Sequence, residues 1–289
     1  MAENSAQSNA QRAVLVTGSS SGIGKEIALY LARQGFLVFA SVRREESVGE
    51  LREYGEPNLL PLFPLDLAIP RTIADASEKV VRELERRRLP GLYGVVNNAG
   101  GGGVGPIELM STAQFQGELT ARLVGPVDLL QRLLPSVRAA GGRVVWIVTP
   151  ATVPIPFVGS IHVCDFAANG LARTLAIELG QRRTPQIMVR CGGIATGSPE
   201  RSHRELERNM AVWPPERLAP YRKRLEENEV ALNAFDAKRT PSIEVAKVVA
   251  RALEASRPRS RYQIGYMSGA AAFLELLPQR LVDRIMASR

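Results

Sequence analysis

The sequence predicts an α/β fold: one parallel sheet, doubly wound, with helices on both faces. Short apolar runs alternate with longer stretches of helical period along almost the whole chain. The first of those runs passes straight into a glycine-rich turn and then a helix. Length agrees with this, because 289 residues of 45% hydrophobic content suit one large domain, 1–289, better than two small ones.

Each element follows from its pattern. The runs "AVLVT" (13–17), "FLVFASV" (36–42), "NLLPLFP" (58–64), "YGVVN" (93–97), "RVVWIV" (143–148) and "QIMVR" (186–190) are near-continuously apolar, as strands covered on both faces must be. Between them, 21–34, 69–88, 112–138 and 157–180 carry helical period. From 198 to about 240 the chain turns charged and helical with no strand, "SPERSHRELERNMAVWPPERLAPYRKRLEENEVALNAF". That segment follows a strand's carboxyl end, the edge where open α/β sheets bind ligands, so a helical flap over a substrate pocket is expected before the last strand. Its Trp213, Tyr221 and Phe235 are either lining or core. A helix ("SIEVAKVVARALEA"), a last strand in "RYQIGY" and an amphipathic tail over 265–289 complete the chain. The tail reads as a packed terminal helix or dimer contact, with peripheral membrane contact as the alternative.

The bulk numbers narrow the function classes. A net charge of +8 is spread over short pieces such as "RRR" (86–88), "RR" (182–183) and "YRKR" (221–224), which reads as solvated helix faces and not as a nucleic-acid patch. Cys164 and Cys191 form no CxxC pair, so neither a disulfide framework nor a metal site is expected. Residues 1–12 are polar, read as a flexible N-terminus without a signal core, and no run of about 18 apolar residues occurs. The expectation is a cytoplasmic protein with no transmembrane segment.

"TGSSSGIG" (17–24) is the chemically informative turn. Gly18, Gly22 and Gly24 permit a tight bend and close backbone approach to a pyrophosphate, with Ser20, Ser21 and Ile23 between them and a helix N-terminus behind. "LDL" places Asp66 after the third strand, and "NNAG" places Asn98, Ala99 and Gly100 after the fourth. With these motifs in this order and spacing, the chain resembles the short-chain dehydrogenase/reductase family, a Rossmann-type fold that binds a nicotinamide dinucleotide. The resemblance implies that Asp66 contacts adenine and that Thr196, in "CGGIAT", belongs to the cofactor site. At the end of the second strand the family's acidic NAD-selecting position is Val42, followed by Arg43 and Arg44. Two guanidinium groups suit a 2′-phosphate, which favours NADP(H). The end of the chain, "EVAKVVARALEASRPRSRYQIGY…LLPQRLVDRIM", is similar to the retinol and hydroxysteroid dehydrogenase branch. That likeness implies a bulky apolar small-molecule substrate, and the family as a whole implies a homo-oligomer formed through 112–138 and 157–180.

The expected catalytic side chains are replaced. The family uses a Tyr acid, a Lys four residues later that lowers its pKa, a Ser on the substrate oxygen and an Asn on the preceding helix. Counting back from "LAIEL" sets Ile161 at the Tyr and Asp165 at the Lys; a one-residue slip offers His162 instead. The Ser falls on Val148 or Thr149, the Asn on Arg122, and the Pro before Gly192 on Cys191. Arg122 and Asp165 exchange charge type at positions the family holds close together, so an ion pair is expected between them. Arg122 as an electrophilic clamp, Thr149 through water and His162 are the remaining candidates for proton handling beside Asp165. Three functions stay open: an oxidoreductase with an altered relay acting on a carbonyl, alcohol or imine, a non-redox catalyst of cyclisation, isomerisation or rearrangement, or a silent nucleotide- or partner-binding protein.

Overall fold

The computed structural model describes residues 11–180 and 183–287. Residues 1–10 of the expected flexible N-terminus, and Arg182 of one basic pair, lie outside the described residues. In chain order the elements are β1 Ala13–Val16, α1 Gly22–Arg33, β2 Leu37–Ser41, α2 Glu46–Arg52, β3 Leu59–Leu62, α3 Pro70–Arg86, β4 Leu92–Asn97, α4 Thr112–Leu119, α5 Gly125–Ala139, β5 Arg143–Val148 and α6 Gly159–Glu178. They continue with β6 Gln186–Cys191, β7 Ile194–Ala195, α7 Ser198–Val212, α8 Pro215–Asp236, β8 Thr240–Pro241, α9 Ser242–Glu254, β9 Arg261–Ile264, α10 Ser268–Leu274 and α11 Gln279–Ala287.

Seven strands form one sheet in the order β3-β2-β1-β4-β5-β6-β9, every named pairing parallel. The order reverses direction at β1, where the chain steps from one half to the other, so β1 and β4 frame a crevice at the carboxyl edge. Every residue of β1 and β2 is buried, which is why both read as unbroken apolar runs. Pro61 is tolerated because β3 is an edge strand, where a missing N–H costs no ladder bond. One face of the sheet packs Ile27, Leu31, Val245 and Val249 of α1 and α9, and the other packs Ile73, Val80, Leu129 and Leu133 of α3 and α5. Each of these helices therefore hides one stripe.

Two departures from the sequence pattern bear on the site. The single helix expected over 112–138 is interrupted: a π-helical turn, Thr120–Val124, joins α4 to α5. The 198–240 segment forms two helices, α7 and α8, and its last residue pairs with the strand before it, Ile194 opposite Thr240. Among the described residues no helix is long and apolar enough to cross a membrane.

Candidate active site and cofactor cavity

The glycine turn is built by close approach. Gly18 has φ +68°, and a Cβ on it would stand 2.9 Å from Ala99 Cα; a Cβ on Gly24 would collide with the Gly18 carbonyl and the Asn98 amide. Asn98 Nδ2 donates to the Thr17 and Gly18 carbonyls at 2.9 and 3.2 Å. Thr17 Oγ accepts the Asn98 and Ala99 N–H groups at 2.9 and 3.0 Å. The two loops are thus tied into one wall, with the N-terminus of α1 behind it.

A cavity of about 940 Å³ opens along that wall. Ser20, Ser21, Gly22 and Ile23 line its bend; Arg43, Arg44 and Asp66 line one end, and Asn98, Ala99, Gly100 and Thr196 the other. Gly24 sits behind this surface and serves packing. Asp66 Oδ1 accepts the Ala68 N–H at 2.9 Å, and Thr72 Oγ donates to the Asp66 carbonyl at 2.8 Å, which holds that loop in place. The cavity's size, its cradle of backbone N–H groups and its paired guanidinium groups fit a dinucleotide carrying a 2′-phosphate.

Arg122 projects from the π-helical turn, whose wider winding is a recurrent feature of functional sites. Its Nη2 lies 2.7 Å from Asp165 Oδ1, with the two side chains 14% and 9% exposed. The second oxygen, Asp165 Oδ2, accepts the Thr149 N–H at 2.8 Å, and Arg122 Nη1 donates to the Gly101 carbonyl. One carboxylate thereby joins α6, the end of β5 and the α4–α5 helix. Arg122 lines the large cavity, and with Asp165 and Asn97 it also lines a smaller one of about 50 Å³ behind the wall. Ile161, one turn before Asp165, packs on Gly102 where a Cβ would stand.

The structure sets His162 apart from this group. It is buried, its Nδ1 is 2.9 Å from the Val153 carbonyl and its ring meets that of Phe166 at a tilt of 53°; it lines neither cavity. Burial pushes its pKa below the ordinary histidine value, outweighing the hydrogen bond to Val153 and the nearby Asp165. The flap aromatics form core: Trp213 and Tyr221 pack with Leu206, Leu218, Leu225 and Phe157, and Phe235 packs against Tyr266.

Sequence reasoning picked out Arg122 but missed the rest of the polar wall facing the loop, Gln114 and Glu118. Gln114, Glu118 and Arg122 recur every four residues and all line the cavity, because the run Gly100 to Gly103 lets them rest directly on backbone. Arg201, Ser202 and Glu205 of α7 face the same space. Four consecutive glycines beside an i, i+4, i+8 polar series was the signal available.

The family model described as short chain dehydrogenase matches residues 12–207, well over half of the chain. The chain belongs to the short-chain dehydrogenase family. An oxidoreductase called YbbO from Escherichia coli strain K12 is 29% identical over 279 residues, covering 96% of this chain and 94% of that protein. Human 11-beta-hydroxysteroid dehydrogenase type 2 is 32% identical over 287 residues, covering 96% of this chain and 70% of that protein, which connects the chain to the hydroxysteroid branch of the family. A short-chain dehydrogenase from Burkholderia cenocepacia J2315, solved in complex with NADP, superposes with a TM-score of 0.71 at 19% identity, covering 96% and 97% of the two chains; this likeness is one of fold.

Proposed function

We propose that this short-chain dehydrogenase is an NADP(H)-dependent oxidoreductase whose substrate-polarising pair is Arg122 and Asp165, at the positions where the family has Asn and Lys. The observation that carries the reading is the 2.7 Å ion pair that holds Arg122 on the wall of a cavity also lined by Arg43 and Arg44. The cofactor supplies the hydride. In this arrangement the N-terminus of α1 and the Ser20 to Ile23 backbone hold the diphosphate, Arg43 and Arg44 hold the 2′-phosphate, and Asp66 faces the adenine. Thr196 and the Asn98 to Gly100 segment border the nicotinamide end. Arg122, which lines the cavity, presents its guanidinium to a substrate carbonyl oxygen as an electrophilic clamp, and Asp165 fixes the guanidinium plane. Thr149 contributes its backbone N–H to Asp165, and His162, neutral and turned into the protein, has no part in the proton path.

The hydroxysteroid likeness supports a bulky organic substrate, and the cavity lining supports a polar reacting end. Fluorescence titration with NADPH and NADH, followed by NADPH oxidation with carbonyls and imines, tests the reading. Expected are NADPH binding about tenfold or more tighter than NADH and measurable turnover. Absence of NADPH binding would overturn it, and tight binding without turnover would favour a non-redox catalyst or a silent nucleotide-binding protein.

A further inference from the structure

The proton-donor count at the reacting end is unusual. Ile161 carries no acid, His162 is tied to Val153, and both oxygens of Asp165 are engaged, by Arg122 and by the Thr149 N–H. A neutral ketone receiving hydride here would develop an alkoxide met by the Arg122 guanidinium and not by a Tyr phenol. Meanwhile the same wall holds a carboxylate that the proposed redox roles do not use. Glu118 Oε1 accepts the Gly103 N–H at 2.6 Å. Its Oε2 is buried and has no hydrogen-bond partner among the described residues. Oε2 lies over Gly102, 3.0 Å from the point where a Cβ would stand, and Ile161 crowds the same point. Arg122 is paired with Asp165, so the Glu118 carboxylate beside it has no cationic partner among the described residues. A buried carboxylate oxygen without a partner is costly unless a cation or donor completes it.

We infer that Glu118 is the counter-charge for a cationic substrate, and that the reaction is the interconversion of a protonated imine with an amine. This rests on the NADP(H) oxidoreductase reading and narrows its substrate class. The step needs no acid. Hydride from the reduced nicotinamide forms a C–H bond at the iminium carbon while the C=N π pair becomes the lone pair of nitrogen, giving a neutral amine and oxidised nicotinamide. The Glu118 carboxylate, which lines the cavity, sets its charge beside the cationic nitrogen, and Ile161 stands in the family's Tyr position, where a phenol would compete for that nitrogen.

The test uses the full chain with 2-methyl-1-pyrroline and the similarly sized ketone 2-methylcyclopentanone as NADPH-dependent substrates. Calorimetric binding of 2-methylpyrrolidine to the NADP⁺-loaded protein is a second readout. The expected result is kcat/KM at least about tenfold higher for the imine. Glu118→Gln keeps the acceptor for Gly103, and should lose about tenfold or more in imine kcat/KM and in amine affinity while its NADPH affinity and melting temperature stay within error. Preference for the ketone, or indifference of both imine turnover and amine binding to Glu118→Gln, would overturn the inference. If neither substrate is turned over, Glu118-dependent amine binding still supports it and Glu118-independent or absent binding overturns it. Failure of NADPH to bind at all would instead remove the oxidoreductase reading beneath it.

Discussion

Two arginine–carboxylate pairs in this molecule share a 2.7 Å contact and differ in what surrounds them. Arg190 on β6 is 2% exposed and pairs with Glu275, just past α10, whose other oxygen accepts both the N–H and the Oγ–H of Thr152 at 2.6 Å. Apolar Ala151, Val153, Val282 and Met286 close over the same region. Arg122–Asp165 makes a comparable set of bonds but borders open cavities. The sealed pair, which borders neither cavity, pins the C-terminal segment onto the 151–153 loop; the open pair leaves Arg122 lining a ligand site. The same chemistry is architectural where neither cavity reaches the pair and functional where one partner lines a cavity.

The largest effect should come from breaking the sealed pair. Glu275→Ala leaves Arg190 buried and uncompensated, and urea unfolding should show a loss of about 3–5 kcal/mol. Replacing both partners, Arg190→Met with Glu275→Leu, should recover most of that loss, since a packed apolar pair avoids the desolvation cost. For the open pair the ranking inverts: Asp165→Ala should lose only about 1–3 kcal/mol, because water in the cavity reaches Arg122, while NADPH-dependent turnover falls at least about tenfold. Arg43→Ala with Arg44→Ala should raise the NADPH dissociation constant by about 10- to 100-fold with NADH nearly unchanged, as expected for losing charge-assisted bonds to a 2′-phosphate.

Acid sharpens the same contrast. Burial raises the Glu275 pKa, but its hydrogen bonds from Thr152 and Arg190 outweigh that and hold it below the ordinary carboxylate value of 4.5. Its contribution to stability is therefore present above pH 4.5 and lost as pH falls further, through the lowered folded pKa. His162 is lowered from 6.5 by burial, so the unfolded chain takes up its proton first and stability declines as pH drops below 6.5. Unfolding free energy followed from pH 7.5 to 5 should slope downward by at most about 1.4 kcal/mol per pH unit, and His162→Gln should flatten it.

Most of the sheet was legible in the sequence because its strands are buried on both faces and read as apolar runs; Arg143–Val148 matches its expected bounds to the residue. The glycine turn was legible because close approach admits only glycine at Gly18 and Gly24. The Arg122–Asp165 contact was inferred from charge exchange at two positions far apart in sequence. The π-helical turn that carries Arg122 was not, since winding one residue wider leaves no compositional mark over five residues. Nor was the Arg190–Glu275 pair, formed across 85 residues by a buried cation inside an apolar strand and an acid in a tail that reads as ordinary amphipathic helix. Trp213 and Tyr221 had two readings, lining or core, and the small core beneath the flap accounts for both.

The central claim is that Arg122 and Asp165 act as one unit in turnover. A double-mutant cycle on NADPH-dependent kcat/KM, with Arg122→Ala, Asp165→Ala and the double variant, tests it most directly. The account predicts a loss of about tenfold or more in each single variant and a double variant no worse than the poorer single, a coupling of about 1–3 kcal/mol. Additive losses, or full activity in either single variant, would contradict it.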